Sequence, residues 1–490
     1  MTVGRFASLF APRFPRESLP PRRLRVPLLF LVLPIALAGC ALAVPDPTPP
    51  APAAVAWEAP LPHEGSAARL AEWWQRFDDP ALAQLIDLAQ RNNPGVGASL
   101  ARIAQARATA RAAGATGLPS LDANGQVVRS FSPEPPSVAA TIAGVSLDAL
   151  WELDLFGASR RTRDAALARL DARTAQWHDV RVSLAAEVAA TYANLRLCEA
   201  LQQVYQEDLA SQRVVLDLTR RKVRSGFSSP ADAALIDAGA AEAGNRVRAQ
   251  RGQCDLLVKS LVTLTAQPES TLRGQLAARR GQLPQPAALA VAQVPARALS
   301  QRPDLAALER ELVAASEEVG VAEADRYPRI RLSGSIGYAA FRALGETGSS
   351  ATWSFGPALS LPVFDAGRRA AAVEGSHARF DELAADYRQR ATLAVQEVEE
   401  ALVRLDSATD RLLDAQRAAD SFQVYLKAAR TRFETGAGSA FEQEDARRSS
   451  LTAAAALLQV RNERVAAWIS LHKALGGGWE PMVAAKSKAQ

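Results

Sequence analysis

The sequence predicts a mixed α and β chain, internally duplicated, in which a transmembrane β-barrel shared between chains, four strands from each, continues into a long α-helical barrel. Three observations predict this fold. Residue patterns recur at an offset near 209, several stretches alternate with period two, and residues 158–225 contain neither glycine nor proline.

From the amino terminus, Arg22, Arg23 and Arg25 precede an apolar run from Val26 to Ala38. Thirteen residues are too few to cross ~30 Å of hydrocarbon, which takes roughly 20, so residues 1–39 read as an export signal. The run ends Leu37-Ala38-Gly39-Cys40. This resembles a bacterial lipobox, with cleavage before Cys40 and lipidation of that residue; ordinary signal cleavage after the same small residues is the other reading. Ala41, where lipoproteins held at the inner membrane carry Asp, implies sorting to the outer membrane. Residues 40–60 form the lipidated tether, rich in Pro and Ala over 41–56 and therefore extended. No later segment suits a transmembrane helix, so a membrane crossing requires a closed barrel in which every backbone group is paired.

The formal charge is +5, but residues 1–39 hold six arginines and one glutamate, which leaves 51 basic and 51 acidic residues in the rest. A neutral body has no surplus of Lys and Arg for phosphates, and a nucleic-acid partner is not expected.

Pro94 and Pro119 recur as Pro303 and Pro328, Phe156 and Arg160-Arg161 as Phe364 and Arg368-Arg369, and Gly226 and Ser229 as Gly436 and Ser439. The offset drifts only between 208 and 210. Two copies follow, at 61–270 and 271–480, with a tail at 481–490. Each contains a helix (94–116; 303–325), a β-hairpin (about 120–154; 329–363) and a helical hairpin (about 158–266; 367–475). A continuous helix over 158–225 is ~100 Å long, which no single globular core needs, and points to a coiled-coil-like assembly.

In the first β-hairpin Leu121, Ala123, Gly125 and Val127 alternate with Asp122, Asn124 and Gln126, and Val145, Leu147 and Ala149 with Ser146 and Asp148. In the second, Ile336 and Tyr338 oppose Ser333 and Ser335, and Trp353 and Phe355 oppose Ser354. One apolar and one small or polar face is the pattern of a membrane barrel, although a half-buried sheet shares it. Four strands cannot enclose a pore, whereas three chains supply twelve, so a homotrimer is expected.

Several motifs run the length of the chain: Trp73-Trp74, Phe77 through Asp79-Pro80-Ala81-Leu82, Leu153-Asp154-Leu155-Phe156-Gly157, Arg302-Pro303-Asp304-Leu305, Phe364-Asp365-Ala366-Gly367-Arg368 and Ala474-Leu475-Gly476-Gly477-Gly478-Trp479. By these the sequence resembles the TolC-like outer-membrane efflux proteins, in the lipoprotein branch of the NodT and OprM type. The resemblance implies a homotrimer embedded in outer-membrane lipid, a periplasmic adaptor and an inner-membrane pump of the resistance-nodulation-division class. The expected function is a passive export duct for drugs or other small toxic compounds. A lipid-anchored periplasmic scaffold, an envelope enzyme and the duct of a type I protein secretion system are the alternatives.

His63, His178, His377 and His472 are dispersed, no catalytic or phosphate-loop motif occurs, and no metal or cofactor is expected. The resemblance places Lys222, Gly226, Ser229, Arg432, Gly436 and Ser439 at the adaptor-contacting tips. Charges around the second turn, Arg432, Glu434, Glu442, Glu444 and Asp445, suit a periplasmic gate or merely a solvated tip. Cys198 and Cys254 each lie 28 residues from Gly226, so antiparallel helices bring them to nearly one height, and an oxidising compartment favours a disulfide.

Overall fold

Proline and glycine set the element boundaries. The computed structural model describes residues 44–48, 77–133, 138–285 and 301–477; Cys40, His63, Trp73, Trp74 and Trp479 lie outside them. Helices α1 (Pro80–Asn92) and α2 (Pro94–Ala115) both start on proline, whose missing N–H has no partner to lose there. Asp79 and Asn93 cap them by accepting from backbone amides in the first turn. Strands β1 (Ser120–Ser132) and β2 (Val138–Leu153) lead into α3 (Ala158–Arg224) and α4 (Pro230–Thr265), followed by the short α5 (Glu269–Leu276). The second pass gives α6 (Pro303–Ala324), β3 (Arg329–Ala343), β4 (Glu346–Ser360), α7 (Arg368–Glu434) and α8 (Ala440–Ala474).

The duplication reaches individual bonds. Helices α3 and α7 each have 67 residues, ~100 Å, and each begins after a glycine with positive φ, Gly157 at 83° and Gly367 at 87°. Asn93 Nδ2 donates to the Leu264 carbonyl at the end of α4 (2.9 Å), and Arg302 Nη1, 209 residues later, donates to the Ala474 carbonyl at the end of α8 (2.8 Å). In both copies one side chain thus satisfies a carbonyl that the helix end leaves without a partner.

The four strands form one antiparallel sheet in the order β1-β2-β3-β4, paired without a bulge. Constant register keeps the alternation of each strand in step with its neighbours. Leu121, Ala149, Gly334 and Phe355 share a row on one face, and Asp122, Asp148, Ser335 and Ser354 share a row on the other. Leu121, Trp353 and Phe355 are 69%, 80% and 74% exposed, so among the described residues none covers the apolar face at these positions. Among the described residues, β1 and β4 each also leave one edge unpaired.

The main core lies midway along α3. There Tyr192 and Leu195 pack with Leu82 and Ile86 of α1, Leu261 of α4, Leu402 of α7, and Trp468 and Leu471 of α8. Toward the sheet α3 meets α6 through small residues instead, such as Ala165 and Ala168 against Ala314, while Leu312 of α6 packs on Leu383 of α7. Small side chains let backbones approach closely over a long contact, so the rods stay parallel without a thick core.

Candidate functional site: the helical tips and the two-faced sheet

The two tips close by the same bonds. At the first, the Phe227 amide donates to the Lys222 carbonyl (2.8 Å) around Gly226 at φ 76°; at the second, the Ala437 amide donates to the Arg432 carbonyl (2.8 Å) around Gly436 at φ 80°. This is the helix-ending geometry that favours glycine. Ser229 and Ser439 then cap the return helices by accepting from the amides of Asp232 and Glu442, both at 3.1 Å. A Cβ at Gly226 or Gly436 meets nothing within 4 Å, so a larger residue there costs only the left-handed backbone, ~1–2 kcal/mol. Phe227 beside Gly226 is 85% exposed.

Lys222 and Arg432, equivalent by position, have different work. Lys222 Nζ reaches across to the second hairpin, donating to the Phe433 carbonyl (2.9 Å) with the nitrogen 4.3 Å from the centre of the Phe433 ring. Val215, Ile236, Phe433 and Ala440 pack beneath this contact. Arg432 pairs with Glu442 inside its own hairpin, and Arg430 Nε sits 2.9 Å from Glu434. Asp445 is exposed on α8. Of the charges that the sequence offered for a gate, Arg432 and Glu442 pair within the second hairpin, and Glu444 bonds to the first through Gln212 of α3.

A buried ion pair also crosses between the hairpins, seven residues into α8, ~10 Å along that helix. Arg447 is buried and binds two buried carboxylates: its Nη1 is 2.6 Å from Asp208 of α3, and its Nε is 2.9 Å from Glu444. Gln212 Nε2 of α3 donates to the same Glu444 oxygen, Oε2 (2.6 Å), and Arg246 of α4 approaches Asp208 at 3.4 Å. Burial raises the Glu444 carboxyl, but the hydrogen bonds from Arg447 and Gln212 outweigh it and hold the group below its ordinary value. The Arg447–Glu444 pair is visible in sequence as i, i+3 neighbours. Its partners Asp208 and Gln212 are more than 230 residues distant, and no local signal points to them.

Cys198 and Cys254 are joined in the structure, with Cα atoms 5.6 Å apart, where α3 and α4 enter the main core. On the polar face of the sheet, Asn124 Nδ2 (2.6 Å), Ser146 Oγ (2.8 Å) and Ser335 Oγ converge on Asp148, and Arg331 pairs with Glu152 at 2.8 Å. Among the described residues no helix is long and apolar enough to cross a membrane, and no cluster of His, Cys, Asp or Glu could hold a metal ion.

A long two-helix rod joined to an antiparallel sheet, repeated once, is also the unit that comparison recognises. The family model for outer membrane efflux proteins matches residues 85–266 and again 294–477, one match per copy. The chain belongs to the outer membrane efflux protein family. Nodulation protein T of Rhizobium leguminosarum bv. viciae is 31% identical over 473 residues, covering 94% of this chain and 95% of the relative. Outer membrane protein OprJ of Pseudomonas aeruginosa is 30% identical over 466 residues, covering 92% and 95%. The solved structure of the outer-membrane channel OprN superposes with a TM-score of 0.82 at 29% identity, over 90% of this chain and all of that one. This protein is accordingly an outer-membrane efflux channel that extends into the periplasm, and not an enzyme. The helical rods leave the sheet at the α2-to-β1 and β2-to-α3 junctions, the end of the strands opposite the β1–β2 and β3–β4 connections.

Proposed function

We propose that three copies of this chain close a twelve-stranded barrel and act as the passive outer-membrane duct of a tripartite efflux system. A periplasmic adaptor docks on the tips, and an inner-membrane pump of the resistance-nodulation-division class supplies the energy. The observation that carries this is the sheet with an uncovered apolar face and two unpaired edges. In lipid an unpaired edge costs several kcal/mol per exposed backbone group, and edge-to-edge closure by neighbouring chains removes that cost. The polar face, with Asp148 and its partners, then lines the pore. Drugs and other small toxic compounds are the cargo class.

The reading is tested by purification and reconstitution. The chain is expected to run as a heat-modifiable trimer and to conduct ions in planar bilayers with no pump present. Gly226→Trp and Gly436→Trp should keep trimer abundance and conductance while lowering drug resistance in cells, because they alter the adaptor-facing tips where there is room for the new side chain. Absence of conductance removes the duct, and normal resistance in both variants removes the tips as the docking surface.

Cys40 is the lipidated amino terminus in this proposal. Support comes from the end of the tether: Ser316 of α6 donates to the Pro45 carbonyl (2.7 Å), eight residues before α6 ends below β3. Those eight residues rise ~12 Å, and the five residues back to Cys40 reach ~17 Å when extended, so the lipid can enter the leaflet at the periplasmic rim. Cys40→Ser should abolish labelling by a fatty-acid analogue while leaving some membrane association through the barrel. Unchanged labelling would remove the assignment.

A further inference from the structure

The apolar face of the sheet is interrupted at one row, beyond which Phe131 and Ala139 follow on β1 and β2. Between the row of Leu153, Ile330 and Leu359 and the row of Val127, Ala143, Ala340 and Ser349, its side chains are apolar or small. Ten residues of strand at ~3.4 Å each, tilted by ~40°, give a band ~26 Å tall, the thickness that an outer-membrane barrel presents to lipid. The next row toward the turns is Arg129, Thr141, Arg342 and Thr347.

Both arginines are exposed, and neither is paired with another described residue. They sit on β1 and β3, two strand spacings or ~9.6 Å apart, with Thr141 between them. An arginine on the lipid face costs ~2–4 kcal/mol at mid-membrane and ~0–1 kcal/mol at the interface. The row therefore belongs at headgroup level, and its place next to the turns makes that the outer leaflet.

Directly below lies a depression of about 430 Å³ lined by Gly125, Val127, Ala143, Val145, Tyr338 and Ala340. Gly125, Ala143 and Ala340 leave the hollow, and Val127, Val145 and Tyr338 wall it. Tyr338 Oη is 2.6 Å from Ser349 Oγ, so the ring stays in the apolar band while its hydroxyl is satisfied nearer the turns. Two forked cations above an apolar hollow match an anionic headgroup above an acyl chain.

We propose that Arg129 and Arg342 bind the phosphates of a phosphorylated glycolipid of the outer leaflet, one acyl chain of which occupies the depression beneath them. This rests on the barrel reading, with the apolar face toward lipid.

The test titrates bisphosphorylated lipid A into the full-length trimer in nonionic detergent, with binding read by native mass spectrometry and conductance measured on the same preparations. Arg129→Gln/Arg342→Gln should weaken binding by about tenfold or more while conductance persists. Ala143→Phe, which fills the hollow and leaves both arginines in place, should also weaken it. Dephosphorylated lipid A should bind poorly to the unaltered protein, and millimolar inorganic phosphate should not displace the bisphosphorylated lipid. Equal binding by the conducting double variant overturns the proposal, and so does displacement by inorganic phosphate, which makes the row a site for free anions. If the unaltered protein fails to conduct, the barrel reading falls by a separate readout.

Discussion

Arg447→Met is expected to free α8 from α3 and open the periplasmic end, raising single-channel conductance and sensitivity to large antibiotics. The substitution keeps most of the side-chain volume and removes the one cation that Asp208 and Glu444 share in the buried contact. Breaking a buried ion pair from one side costs about 3–5 kcal/mol, because the remaining charge is neither solvated nor compensated. Each carboxylate would keep only a peripheral cation, Arg246 on Asp208 (3.4 Å) and Arg448 on Glu444 (3.2 Å), which places the loss toward the lower end of that range. The informative companion is Arg447→Met/Asp208→Leu/Glu444→Met, which removes all three charges. If the cluster acts as a latch through its charges, the triple variant should regain most of the lost stability, since apolar replacement of a whole buried ionic group is often neutral or stabilising. Arg432→Gln, at an exposed pair within one hairpin, should change conductance far less, because such pairs contribute only ~0–1 kcal/mol. Unaltered conductance and stability in Arg447→Met would refute the latch. The pH dependence has a definite sign. Glu444 is held below its ordinary value, so its contribution is full above the ordinary carboxylate range and is lost as pH falls through the lowered value. Acid should therefore loosen the tips.

Cys198→Ser/Cys254→Ser is expected to destabilise the first hairpin by up to about 4 kcal/mol, the chain-entropy value for a sequence separation of 56. The bridge sits in the main core, so the loss should appear as a lower melting temperature and faster amide exchange in both α3 and α4. The second hairpin, whose equivalent positions are Ala408 and Arg464, should be spared. Denatured, unreduced mature protein should show no free thiol; two reactive thiols per chain would refute the bond.

Much of this architecture is legible in the sequence, because its elements are long and their punctuation is strong. A stretch without glycine or proline from 158 to 225 leaves little besides a helix, and period-two alternation in register on four strands leaves little besides a sheet with two faces. A helical hairpin also turns height into a count from its turn, which is why Cys198 and Cys254 can be read as neighbours. Contacts between hairpins have no such ruler. Arg447 and Asp208 meet only because two rods pack with a particular rotation, and rotation is decided by the summed shapes of many alanines and leucines. Lys222 shows the same limit. Its place near a turn is readable, while its use of the Phe433 carbonyl depends on how far one tip stands beside the other.

The identical span of α3 and α7 constrains how this chain can change. Removing one residue from either shortens it by ~1.5 Å and rotates everything beyond the cut by about 100°, which would carry Cys198 or Phe433 away from its neighbour. Only insertions close to whole turns preserve facing, seven residues or eleven, with a residual rotation of about 20° in opposite senses. Such an insertion also has to be made in both long helices and matched in both return helices. Point substitutions can accumulate at the exposed positions of these rods, but their length can change only in coordinated steps of roughly 10 or 16 Å.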